Sequence, residues 1–303
     1  MTAQARPLTR RRPASERVIE ALLFVAAALG VLTTVGIVVV LVVQTIEFFL
    51  IVNPIEFLTG TRWSALIKPN HWGVLPLVNG TLIIAGIGLV IAVPLGLLSA
   101  VLLSDYASPR VRNVVKPILE TIAGIPTIVL GFFAVYFLSP SILEPIFTDL
   151  IGGTSALAAG IVVGILITPL IASISQDAMT AVPRGLREGA YAMGATKFEV
   201  VRKVVFPAAI SGIMASIILA MSRAIGETMA VLLAAGSNPT MTFNPLQSIQ
   251  TMTAFIATIV QGDTPQGSAA FYSLFAVAMV LFVMTFALNL ISSWIVRRYR
   301  TAY

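Results

Sequence analysis

The chain has 303 residues, of which 57% are hydrophobic and only 11% are charged. Soluble domains usually carry about 25% charged residues, so this composition excludes a soluble enzyme or binding module and indicates a protein that crosses a membrane several times. The net charge of +6 reflects basic residues placed between the apolar segments and requires no nucleic-acid partner.

Six apolar segments are long enough to cross a lipid bilayer, which takes about 20 helical residues for ~30 Å of hydrocarbon. The predicted spans are residues 18–46, 80–104, 117–139, 155–176, 208–236 and 268–296. Outside the spans lie a basic tail at residues 1–17, a long polar loop at residues 177–207 and a second tail at residues 297–303. The sequence therefore predicts an all-α, polytopic membrane protein.

The beginning of the chain has a second interpretation. A basic start, an apolar stretch and the small residues Ala26, Ala27 and Ala28 are also typical of a secretory signal with a cleavage site. The apolar run continues to about Val43, which is much longer than a signal core. We therefore expect a retained first span.

Basic residues lie mostly on one side of the predicted spans. The two tails, the loop between the second and third spans and the long polar loop hold nearly all of the 19 Lys and Arg, whereas Arg62 and Lys68 lie on the other side. Since Lys and Arg in short loops remain in the cytoplasm, both termini and the long loop are predicted to be cytoplasmic.

The sequence contains none of the common motifs of soluble enzymes. The sequence has no cysteine, which excludes disulfides and thiolate metal sites. It also lacks the G-x-x-x-x-G-K-[ST], H-E-x-x-H and G-x-S-x-G patterns. The chain is predicted not to be an enzyme and to hold no cofactor, so any ATP and Mg would be bound by a partner subunit.

The polar loop predicts a short helix with one apolar face. Pro183 suits the first position of a helix, where its missing N–H costs nothing. From Leu186, the residues Ala190, Met193 and Gly194 recur at helical spacing and form a narrow face of small and apolar side chains. Such a face suits a groove in a soluble partner, although an ordinary amphipathic surface helix fits the same pattern.

Other residues of the loop complete this prediction. Arg187, Glu188 and Lys197 are expected to remain hydrated around the apolar face. Gly194 allows the chain to turn or another backbone to approach closely. Pro207 is predicted to mark the return of the chain to the membrane.

The same loop resembles the signature of ABC importer permeases. The segment from Glu188 to Pro207 reads E-G-A-x3-G-x9-V-x-F-P, which is similar to the family pattern E-A-A-x3-G-x9-I-x-L-P with its spacing kept. In that family the loop is a coupling helix seated in the ATP-binding subunit. The resemblance implies a coupling role for five residues: Glu188, Gly189, Ala190, Gly194 and Pro207.

The resemblance extends over residues 57–303 and favours phosphate importer permeases of the PstC type. It is carried by residues 57–63, 73–81, 94–96, 120–126 and 222–228. It implies a type I ABC importer permease fold in a bacterial plasma membrane. It also implies several partners: a homologous second permease subunit forming a heterodimer, a dimer of ATP-binding subunits, and an extracytoplasmic phosphate-binding protein that delivers phosphate.

Two charged residues lie within the fifth predicted span. Arg223 follows Ala208 by some 15 residues, about 22 Å of helix, where a charge costs about 2.5–3.5 kcal/mol and should face protein or a wet cavity. Glu227 lies four residues later, so the two side chains are expected on one helix face and within reach of each other. A structural ion pair between them would explain the pattern without a function.

A functional interpretation assigns both residues to the substrate pathway. A guanidinium suits bidentate contact with phosphate oxygens, so Arg223 is the candidate anion contact. Glu227 can accept a hydrogen bond from a protonated phosphate but not from sulfate, which has no proton to donate. The alternatives are a permease for another oxyanion such as sulfate, molybdate or phosphonate, the sister PstA-type subunit, and an autonomous ion-coupled carrier or channel.

Overall fold

The computed structural model describes residues 14–147 and 152–298. The predicted tail at residues 1–17 therefore falls mostly outside the described residues, as does most of the tail at residues 297–303. In chain order the elements are α1 (Ala14–Ile51), α2 (Pro54–Thr59), β1 (Trp63–Ser64), β2 (His71–Trp72), α3 (Leu75–Val101), α4 (Pro109–Ala123), α5 (Thr127–Phe133), α6 (Glu144–Phe147), α7 (Ala156–Thr180), α8 (Arg184–Ala192), α9 (Lys197–Val200), α10 (Phe206–Ile225), α11 (Met229–Ala234), α12 (Met252–Gln261) and α13 (Ala269–Arg298).

Three wide π-helical segments extend a helix or join two helices. Leu102–Tyr106 extends α3, Ala134–Leu143 joins α5 to α6, and Val201–Val205 joins α9 to α10. With these segments included, six helices within the described residues are long and apolar enough to cross a membrane. Six predicted spans are thus confirmed in number, and the described part of the chain is all-α apart from the two-residue strands β1 and β2.

The third and fifth spans lie elsewhere than predicted. The third runs from Thr127 to Phe147 rather than over residues 117–139, because α4 is a separate amphipathic helix that ends at Ala123. The fifth helix runs from Lys197 to Ile225 rather than over residues 208–236, because the chain leaves the helix at Gly226. Both errors arise because an apolar run can continue through a break in the helix.

The centre of the bundle is the close packing of α3 against α7. A Cβ on Gly160 would lie 2.5 Å from Ile87 Cγ2, and one on Gly96 would lie 2.7 Å from Ile171 Cγ2. These glycines let the helices approach to van der Waals contact, which dense packing then stabilises. Spans two and four therefore form one rigid pair.

One end of the bundle, here called the basic end, brings together α4, α8, α9 and the adjacent ends of α3 and α7. Lys116 Nζ of α4 lies 2.7 Å from Asp177 Oδ1 of α7. Lys197 Nζ of α9 lies 4.7 Å from the ring centroid of Tyr106, beyond the end of α3. These contacts show that the polar loop folds against the ends of the spans.

The opposite end carries β1, β2 and the loop that contains α12. The Trp63 ring packs edge-on against Phe255 of α12, with 4.8 Å between centroids. In the same region the backbone N–H of Ser155 donates to the carbonyl of Ala234 at 3.0 Å, which ties the start of α7 to the end of α11. α1 packs on α13 and exposes nearly its whole apolar length, as a helix facing lipid does.

Candidate coupling loop and substrate pathway

The polar loop forms a helix with a defined stop. Pro183 lies just before the helix, with φ −54° and ψ 134°, so α8 begins at Arg184, one residue later than predicted. At the other end Gly194 has φ +83°, the left-handed conformation that favours glycine. The N–H of Ala195 donates to the carbonyl of Ala190 at 3.2 Å, and that of Gly194 donates to Tyr191 at 2.9 Å. This is a Schellman stop, so the predicted turn at Gly194 is present.

The exposed apolar face of the loop differs in part from the predicted face. Leu186 and Met193 are exposed as expected, Met193 at 88%. Ala190 instead packs inward on the cluster beneath the loop. Tyr191 and Phe198 join the exposed surface, Phe198 at 62%, although neither was singled out from the sequence. The face available to a partner is therefore larger and more aromatic than predicted.

The prediction that Arg187 remains hydrated around the apolar face is wrong. Its guanidinium forms an ion pair with Asp105 and donates to the carbonyl oxygen of Met179 at 2.6 Å. Glu188 and Gly189 are exposed. Lys197 also remains exposed while its ammonium lies over Tyr106. Arg187 therefore belongs to the interior side of α8, and Glu188 to the outer side.

The chain passes from α9 into α10 as a continuous helix. Pro207 is the second residue of α10, and α10 follows directly on the π-helical segment Val201–Val205. A proline ring inside a regular α-helix clashes with the carbonyl four residues earlier, and a wider turn before the proline accommodates that clash. Pro207 therefore lies within a continuous helix, and its role as the point where the chain returns to the membrane stays a prediction.

Arg223 and Glu227 do not form the predicted helical pair. α10 ends at Ile225, and Glu227 lies in the break between α10 and α11. No ion pair joins the two side chains, both of which the structure describes. Arg223 is exposed in this chain, whereas Glu227 is 7% exposed and its Oε1 accepts a 3.4 Å hydrogen bond from the N–H of Ala230.

The short helices that follow two breaks in the chain pack against each other. α5 starts after Pro126, which supplies no side-chain cap, and α11 starts after Thr228. A Cβ on Gly131 of α5 would lie 2.9 Å from Leu233 Cδ1 of α11, so the two short helices are in contact. The short helix that follows the break at Glu227 thus packs on the short helix that follows Pro126, and Arg223 lies one helical turn before the break.

Thr253 is a residue of this region that sequence reasoning missed. Its hydroxyl donates a 2.8 Å hydrogen bond to the backbone carbonyl of Glu227. The first turn of α12 is also held by Thr81 of α3, whose Oγ1 accepts from the N–H of Met252 at 3.1 Å. The threonines carry no charge and have no motif spacing, so only the fold brings them to the break.

Most of the chain matches one known family of membrane transport proteins. Residues 92–301 match the family described as the binding-protein-dependent transport system inner membrane component. The chain belongs to that family.

Related permeases align along most of this permease. The probable ABC transporter permease protein YqgH of Bacillus subtilis is 35% identical over 280 residues, covering 92% of this chain and 88% of the relative. The phosphate transport system permease protein PstC of Mesorhizobium japonicum is 33% identical over 263 residues, covering 80% and 78%. The resemblance to PstC-type permeases is therefore confirmed.

Solved structures confirm the fold of this permease. A chain of a bacterial alginate ABC transporter, solved with an alginate pentasaccharide-bound periplasmic protein, superposes with a TM-score of 0.67 at 16% identity, covering 96% of this permease and all of that chain. The permease thus has the type I ABC importer fold and is a multi-pass protein of the inner membrane.

At the opposite end the permease has an open cleft of about 1050 Å³. Its polar lining includes Arg62, His71, Asn238 and Gln250, and none of the residues that line it is acidic. Gln250 is buried, at 6% exposure, and lies three residues before Thr253. The cleft therefore approaches the break at Glu227 from the end of the bundle opposite the basic end.

Proposed function

We propose that this permease is a membrane subunit of an ATP-driven importer of inorganic phosphate, in which separate subunits hydrolyse ATP. The observation that carries the proposal is an exposed guanidinium, Arg223, one turn before a break that holds the buried carboxylate of Glu227. A charge at that position is costly unless it faces a wet cavity or a partner. Relatives named as phosphate transport permeases support phosphate as the anion.

Arg223 and Glu227 divide the contact with phosphate. The guanidinium donates to phosphate oxygens, and its geometry suits bidentate contact. Glu227 accepts a hydrogen bond from a protonated phosphate oxygen. Tight recognition is left to an extracytoplasmic phosphate-binding protein, since a strong site in the pathway would slow release. We place that protein over the cleft that contains Arg62 and His71.

The loop at the basic end is the docking surface for a dimer of ATP-binding subunits, which bind ATP and Mg. Its exposed apolar residues, Leu186, Tyr191, Met193 and Phe198, suit a groove in such a partner. Glu188 lies exposed in the same helix. A homologous second permease subunit completes the pathway on the face that exposes Arg223. With the basic end in the cytoplasm, both termini are cytoplasmic, as the distribution of Lys and Arg predicts.

The test is uptake of labelled phosphate by the complete complex reconstituted in liposomes. Arg223→Gln is expected to abolish most uptake while the subunits still copurify. Arg110→Gln is the control, because it removes the same charge from an exposed position on α4. Unchanged uptake with Arg223→Gln would exclude the anion contact.

The substrate and the energy source are tested on the wild-type complex. The binding protein with phosphate is expected to stimulate ATP hydrolysis. The same protein with sulfate, molybdate or phosphonate is expected not to stimulate it. Stimulation by one of these other anions would assign the permease to that oxyanion. Uptake by this chain without an ATP-binding subunit would instead identify an autonomous carrier.

A further inference from the structure

The inward side of the coupling helix α8 carries a partly buried ion pair. The Arg187 guanidinium contacts the Asp105 carboxylate and donates to the Met179 carbonyl oxygen at 2.6 Å. The Asp105 side chain is only 4% exposed and that of Arg187 is 18% exposed. An ion pair shielded from water to this extent requires good geometry and further hydrogen bonds, because both charges lose much of their hydration.

The two partners of Arg187 belong to different spans. Asp105 lies in the π-helical turn that ends the second span, and Met179 lies in the last turn of α7, the fourth span. One side chain of α8 therefore holds the basic ends of two spans at once. Asp105 and Arg187 are 82 residues apart in the sequence, so the fold alone brings them together.

Asp105 is itself fixed from its other side. The hydroxyl of Ser104 donates to its second carboxylate oxygen. Arg112 of α4 donates to the carbonyl oxygens of Leu103 at 2.7 Å and Ser104 at 2.8 Å. These carbonyls end a helix and have no partner within it, so Arg112 satisfies them and immobilises the turn that presents Asp105.

The two spans held by Arg187 move as one body if they move at all. The second and fourth spans are in contact through Gly96 and Gly160, with too little space at either position for a methyl group. Packed cores of this kind transmit displacement rather than absorb it. A shift of α8 therefore acts on the rigid pair of spans and not on one helix end.

We propose that Asp105 and Arg187 form a partly buried clamp that couples movement of the coupling helix to the second and fourth spans. They are positioning residues: neither touches substrate or nucleotide. The clamp rests on the proposed function insofar as α8 is the helix that an ATP-binding subunit grips. Without the clamp, α8 still docks through its exposed face, but its displacement is no longer passed on to the spans.

The clamp is tested by the ratio of phosphate taken up to ATP hydrolysed in the reconstituted complex. Arg187→Gln and Asp105→Asn are each expected to lower this ratio about tenfold, within the range of coupling between distant sites. The ATP-binding subunits should still copurify. Arg187→Lys keeps the charge but not the forked donors, so it should restore the ratio only in part.

A matched control lies at the same end of the bundle. Lys116 and Asp177 also form an ion pair between α4 and the fourth span, but their side chains are 29% and 60% exposed. Lys116→Gln is expected to leave the ratio unchanged, as exposed ion pairs contribute little. An unchanged ratio in Arg187→Gln would overturn the clamp, as would an equal fall in Lys116→Gln.

A second readout needs no transported substrate. The chain has no cysteine, so spin labels can be placed at Gly185→Cys in α8 and Val90→Cys in the second span, both exposed. The distance between the labels should stay constant when nucleotide binds to the otherwise unsubstituted complex and should change in Arg187→Gln. A constant distance in both would overturn the clamp, whereas failure of phosphate uptake by the wild-type complex would overturn only the proposed substrate.

Discussion

The hydroxyl of Thr253 donates a 2.8 Å hydrogen bond to the backbone carbonyl of Glu227. Glu227 lies in the break after α10, and Thr253 lies in the first turn of α12. The short helix α12, which borders the cleft that contains Arg62 and His71, therefore fixes the backbone of the charged break. This contact joins the helix that borders the cleft directly to the break.

Thr253→Val is expected to lower phosphate uptake several-fold while the complex still assembles. Valine keeps the shape of threonine but leaves a buried carbonyl without its donor, which costs about 1–3 kcal/mol. Uptake and copurification are measured on the same sample. Thr258→Val is the control, because Thr258 donates only to Ala254 of its own helix, and equal losses in both variants would contradict the expectation.

Gly194→Ala is expected to weaken copurification of the ATP-binding subunits. A residue with a Cβ at φ +83° strains the stop of α8 by about 1–2 kcal/mol and displaces the exposed face next to it. The matched variant is Gly189→Ala within α8, where a Cβ would have no neighbour within 4 Å. Alanine favours a helix, so Gly189→Ala should keep or improve binding. If both variants bind the ATP-binding subunits as strongly as the wild type, the turn at Gly194 does not position the exposed face for binding.

Gly96→Ala is expected to destabilise the permease by about 1–3 kcal/mol, the usual cost of overpacking. Its Cβ would lie 2.7 Å from Ile171 Cγ2 and 2.8 Å from Ile171 Cβ, so α3 and α7 must separate. A thermal unfolding curve in detergent measures the effect. Gly86→Ala on the same helix has no atom within 4 Å and should unfold at the wild-type temperature or above.

Trp63→Ala is expected to cost about 3–5 kcal/mol, since Trp63 is 5% exposed and packs against Phe255, Trp72 and Phe57. Trp63→Phe keeps much of the ring contact. It also removes the indole Nε1, which is buried without a hydrogen-bond partner. The melting temperature should therefore fall strongly in Trp63→Ala and only slightly in Trp63→Phe. Equal melting temperatures of the two variants would show that ring packing is unimportant here.

The sequence by itself determined the class of the protein and the number of its spans, because lipid demands long apolar helices whatever their neighbours are. The turn at Gly194 was also predictable, since it depends on the local backbone alone. The loop pattern indicated the family for the same reason, because its spacing is local.

Only the tertiary structure decided where the helices break and which charges meet. The breaks before Thr127 and after Ile225 interrupt runs that hydropathy treats as continuous, so the third and fifth spans were misplaced and Arg223 and Glu227 were wrongly expected to pair. Arg187 was wrongly assigned to the hydrated rim because its partner, Asp105, is distant in the sequence. Hydropathy and helical spacing report on a residue and its near neighbours, whereas a buried ion pair depends on which helix ends the packed bundle brings together.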